Sequence, residues 1–64
     1  MQLPELVEEA RGYERLPLDL AEEILEYGIA ALLEYCEYYE CLNLLERAEI
    51  SVKRAHSQAI TFLH

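Results

Sequence analysis

Stepping alternately by four and three residues from Leu20 lands on Ile24, Tyr27, Ala31, Glu34, Tyr38, Cys41, Leu45, Ala48, Val52, Ala55, Ala59 and Phe62. All of these except Glu34 are apolar or aromatic. Residues three and four apart share one face of a helix, so the spacing predicts an amphipathic helix with a heptad seam. The expected class is all-α: a short first helix over about 4–11, a linker over 12–18 and one long helix over about 19–63. All 64 residues make a single domain with a thin core.

The first helix rests on Leu3, Leu6, Val7 and Ala10, which form an i, i+3, i+4, i+7 stripe. Pro4 suits a first turn, Glu5 complements the positive helix start, and Gly12 suits the end. In the linker, Leu16 precedes Pro17 and is expected to be extended. Asp19 with Glu22 three residues on reads as a capping box opening the main helix. Beyond it there is no proline, and the only glycine is Gly28. A competing hairpin has its turn at about 40–43, with Asn43 as a second N-cap. The seam crosses that region without a phase change, which favours the continuous helix.

The apolar face is wide from Leu20 to Leu45, where Leu25, Leu32, Tyr35, Tyr39 and Leu42 flank the seam. It narrows beyond Glu46, where Glu46, Glu49, Lys53 and His56 take those wheel positions. A wide face calls for more than one neighbouring helix. A chain this short cannot cover it alone, so the expected assembly is a homodimer or tetramer, an oligomeric helical bundle. The self-association seam is Leu20, Ile24, Tyr27, Ala31, Tyr38, Cys41, Leu45, Val52, Ala59 and Phe62. Glu34 reads as the polar seam residue that fixes register.

A second apolar set lies on the back of the wheel: Ile29, Leu33 and Cys36, with Leu44 and Ile50 further on. The first three form a contiguous patch rimmed by Glu26, Glu37 and Glu40. Either the first helix covers it or a basic or helical protein partner docks there.

Charge changes the picture next. The net charge is −8, and its distribution is uneven: residues 1–40 carry eleven acids against Arg11 and Arg15, whereas 41–64 carry two acids against three bases. This asymmetry favours antiparallel helix pairing, which brings the acidic end near Arg47, Lys53 and Arg54. An acidic chain without a basic stripe is repelled by phosphate, which argues against direct nucleic-acid binding. The same acidity suggests an alternative role, a decoy that mimics nucleic acid to block a basic site on a target protein.

The longest uncharged apolar stretch, Tyr27 to Leu33, is too short to span a bilayer, so no membrane role is expected. Pro4, Glu5, Glu8 and Glu9 stand where a secretory leader would need an apolar core. Cys36 and Cys41 are five apart, which on one continuous helix turns them about 140° from each other. That excludes a shared metal or a local disulfide, and two reduced cysteines point to the cytoplasm.

Catalytic chemistry finds no support. The recurring Glu-x-x-Glu pairs lack the Glu-x-x-His of di-iron bundles. His56 and His64 have no metal-ligand spacing, which leaves Glu34 as the one acid placed for a metal. No phosphate loop or nucleophile–base set is present. The expectation is a non-enzymatic, cofactor-free and metal-free interaction module of the adaptor or inhibitor type.

Overall fold

The computed structural model describes residues 2–63, with the side chains of residues 2–59. It is all-helical: α1 (Leu3–Arg11), α2 (Leu18–Leu32) and α3 (Tyr38–Leu63). The long helix expected over 19–63 is therefore two helices. The break falls at residues 33–37, not at 40–43, and Asn43 lies inside α3. No glycine or proline marks this break. Its cause is burial: an isolated helix of that length leaves its seam in water, whereas folding back lets the two halves of the seam cover each other.

The α2–α3 pair forms most of the interhelical contact, with α1 packing mainly on α2. Five residues of turn make α2 and α3 antiparallel neighbours. The core is one cluster: Leu6, Val7 and Ala10 of α1, Leu16 of the linker, Leu20, Ala21, Ile24 and Leu32 of α2, and Cys41, Leu44 and Ala48 of α3. Leu44, which the heptad places on the back of the wheel, is thus a core residue. The break uncouples the phase of α3 from that of α2, so the inward face of α3 is centred on Cys41, Leu44 and Ala48. Leu45 and Val52 flank it, half-buried.

Two further features depart from the pattern. α2 begins at Leu18 with Pro17 in the cap position, φ −58° and ψ 150°, and no side chain caps it. Proline's fixed φ lets the chain enter the helix directly, so the Asp19–Glu22 capping box does not form. Asp19 still lies in the first turn, where its charge complements the helix start. Within α2, Gly28 is not helical: its φ of 77° and ψ of 176° lie in a region open essentially to glycine alone.

The linker is clasped to α3. The Arg47 guanidinium donates to the carbonyls of Tyr13 and Glu14, the latter at 3.0 Å, and the Ser51 hydroxyl donates to Leu16 O at 2.9 Å. These bonds seat Leu16, 5% exposed, in the core. α3 spans about 39 Å and α2 about 22 Å, so α3 extends beyond its partner, and 56–59 are exposed.

Candidate functional site

At the turn end of the hairpin, three elements converge on an open cleft of about 500 Å3 lined by Arg11, Leu33, Glu34, Tyr35, Cys36, Glu37 and Glu40. α2 runs out through tight turns. Glu34 N–H donates to Ala31 O at 3.3 Å, and the N–H groups of Tyr35 and Cys36 donate to Leu32 O at 2.9 and 3.1 Å. α3 starts when Cys41 N–H donates to Glu37 O at 2.9 Å. These turns satisfy the helix-end carbonyls while throwing Leu33 and Tyr35 outward. Leu33 is 45% exposed and Tyr35 43%.

Next to the cleft, Tyr38, Tyr39 and Leu42 are exposed too, Tyr39 the most at 82%. The Tyr38 and Tyr39 rings meet edge to face, with centroids 5.6 Å apart. Between Leu33 and Leu42 five large apolar or aromatic side chains are thus exposed.

One cation faces this acidic rim. Arg11 pairs with Glu40 through two bonds, Nη2–Oε1 at 2.8 Å and Nε–Oε2 at 3.3 Å, and with Glu8 at 3.1 Å. The hydrogen bonds and the adjacent positive charge hold the Glu40 carboxyl below its ordinary range, and Glu40 in turn raises the Arg11 pKa. Glu34 and Glu37 have no ion-pair partner among the described residues. The cleft therefore keeps two uncompensated carboxylates beside apolar surface.

Cys36 and Cys41 are joined by a disulfide, with Cα atoms 6.0 Å apart. The exclusion of a local bridge holds only on a continuous helix; the break at 33–37 removes the 140° rotation and lets the pair close. With both cysteines bridged, reduced thiols no longer argue for the cytoplasm. No helix among the described residues is long and apolar enough to cross a membrane. Nor does any group of three or more His, Cys, Asp or Glu among them have the geometry to hold a metal.

Four of the six residues expected in a partner patch, Leu33, Cys36, Glu37 and Glu40, line this one cleft. Ile29 instead packs half-buried against the core. Glu26 lies elsewhere, in a cleft with Asp19, Glu22, Glu23, Leu25 and Val52. Of the seam, Leu20, Ile24 and Cys41 are buried within the chain, while Ala31, Leu45 and Val52 are half-buried. Tyr27, Tyr38 and Ala59 are exposed, and Phe62 lies outside the described side chains.

Sequence reasoning missed Arg11, Glu34 and Tyr35 as cleft residues, having placed Glu34 on the seam. It also missed that Arg15 joins Lys53 and Arg54 around Ile50 on another surface. Arg11 lies 29 positions from Glu40, so only the packing of α1 reveals the pair. No protein family model, curated protein or solved structure matches the chain.

Proposed function

We propose that this protein is a non-enzymatic docking module whose turn-end cleft takes a basic, amphipathic segment of a partner protein. The observation that carries the reading is the pairing of exposed Leu33 and Tyr35 with the uncompensated Glu34 and Glu37 in one cleft. An apolar side chain of the partner fills the space against Leu33 and Tyr35, and its Lys or Arg residues meet the two carboxylates. The charges speed encounter and orient the segment, while burial of apolar surface supplies most of the affinity. The net charge of −8 discourages acidic partners.

A fluorescent amphipathic Lys–Leu helical peptide, titrated with this protein and read by anisotropy, tests the reading. Binding should persist at several hundred millimolar salt, and Leu33→Glu should weaken it at least tenfold without loss of helix content. The added carboxylate makes this variant decisive: apolar docking loses affinity, whereas attraction by charge alone gains it. Binding that strengthens in Leu33→Glu and vanishes with salt would instead identify an acidic decoy. No binding at all would overturn both readings.

A further inference from the structure

The turn-end cleft has two sides, and the chain passes between them at Cys36. Leu33, Glu34 and Tyr35 line it from the α2 end, and Glu37 and Glu40 from the α3 end. Backbone hydrogen bonds tie the first set back to α2 through the carbonyls of Ile29, Ala31 and Leu32, and the second set into α3 through Cys41 N–H to Glu37 O. Among the described residues no hydrogen bond or ion pair joins the two sides except through the cysteines. Arg11 pairs with Glu40 and Glu8, so it braces the α3 side alone. The Cys36–Cys41 bridge is thus the cross-link between the two sides, and its far end, Cys41, is fully buried in the core.

We propose that the Cys36–Cys41 bridge is a redox gate on the cleft: intact, it holds the two sides in place for a docked segment, and its reduction lets them part and releases that segment. The inference rests on the docking reading and adds its control. A bridge between residues five apart closes a short loop, which restricts the unfolded chain less than a long loop does. Its leverage is therefore on the cleft rather than on the fold. The hairpin outlasts reduction, because the cluster of Leu32, Leu44 and their neighbours buries its surface without the bridge. The reduced sulfurs are provided for as well. Cys36 Sγ lies 3.2 Å from Leu32 O and Cys41 Sγ 3.4 Å from Cys36 O, so each thiol has a carbonyl to donate to. With the cross-link open, Leu33, Tyr35 and the turn that carries them must be ordered afresh at each binding event, which weakens docking roughly tenfold.

The redox step is thiol–disulfide exchange with a small dithiol. One of its sulfurs, as the thiolate, attacks the half-buried Cys36 sulfur that lines the cleft rather than the fully buried Cys41. The Sγ–Sγ bond breaks, a mixed disulfide forms at Cys36, and Cys41 leaves as a thiolate that takes a proton. The second thiol of the reductant then attacks its own sulfur in the mixed disulfide and frees Cys36, which takes the second proton. Two electrons and two protons reach the cysteines, and the dithiol departs as its cyclic disulfide. Docking and reduction are reciprocal: the factor by which reduction weakens docking is the factor by which a filled cleft resists reduction.

The test titrates the fluorescent Lys–Leu peptide with oxidised protein and with protein kept in dithiothreitol, alongside circular dichroism of both forms. Oxidised protein should bind roughly tenfold more tightly than reduced protein, with helix content nearly the same. Cys36→Ser should bind as weakly as the reduced form and ignore dithiothreitol. In a buffer of reduced and oxidised dithiothreitol, saturating peptide should move the bridge toward the disulfide by the same factor. Equal affinity of the two forms overturns the gate and leaves the docking reading standing. Loss of the helical fold on reduction also overturns it, since the bridge would then hold the whole molecule rather than the cleft. A peptide that binds neither form overturns the docking reading and the gate together.

Discussion

The chain leaves the helical conformation twice between Leu18 and Leu63, and the two interruptions have different physical origins. At Gly28 the interruption is written into a single residue, whose φ of 77° few other residues adopt. At 33–37 it is written into none. Among the described residues no position but Gly28 has a positive φ, so no residue of the turn needs the left-handed region that favours glycine. That turn is held by what it connects: the burial of Leu32, the cluster around Cys41 and Leu44, and the bridge between Cys36 and Cys41. A break encoded locally depends on one residue's identity. A break encoded by packing tolerates substitution within itself and fails when its anchors are cut.

The sharpest attempt on the packed turn is therefore Leu32→Ala, just outside it. Leu32 is fully buried, and truncating such a leucine costs about 2–5 kcal/mol. A chain of this length has on the order of 3–10 kcal/mol of total stability. Urea unfolding followed by circular dichroism should show a loss of about 2–5 kcal/mol, with the midpoint moved to much lower urea. A loss under 1 kcal/mol would mean that burial beside the turn does not hold it.

Gly28→Ala attacks the other interruption and should cost less, about 1–3 kcal/mol, because the penalty lies in the backbone. A Cβ at this position would meet nothing within 4 Å, so no clash contributes. In contrast, Tyr35→Ala, within the packed turn and exposed, should stay within about 0.5 kcal/mol. If both alanines behave alike, the distinction between the two interruptions collapses.

The same distinction explains what the amino-acid pattern discloses. The all-helical class and the first helix are legible because Leu3, Leu6, Val7 and Ala10 carry their own period, ending at Gly12. The turn at 33–37 is not, because period and helix breakers are local signals and this break is made by distant burial. A trace of it survives in Glu34, the one polar seam position, which lies in the turn itself. The cleft was half legible: Leu33, Cys36, Glu37 and Glu40 share a face, but Arg11 arrives from a remote element. The capping box failed because a proline before a helix can open it without a side-chain cap.

The smallest expected effect concerns Arg11 and Glu40, which tie the end of α1 to the start of α3 just beyond the packed turn. Glu40 is held below its ordinary value of 4.5, chiefly by the hydrogen bonds from Arg11. A carboxylate whose pKa is lower folded than unfolded adds stability that is fully present above the unfolded value. That stability disappears as pH falls through the folded value. Arg11 shifts upward and stays charged throughout this window, so Glu40 alone sets the dependence. The pair is exposed, so its contribution is small and screened by salt. Amide exchange of α1 should accelerate modestly as pH drops below 4.5, relative to the intrinsic rate at each pH, and Glu40→Gln should remove that excess. Because the bridge at Cys36–Cys41 does not titrate, exchange in the turn itself should show no matching change. A turn that loosened in step with α1 would mean that Arg11–Glu40, rather than burial and the bridge, holds the second interruption in place.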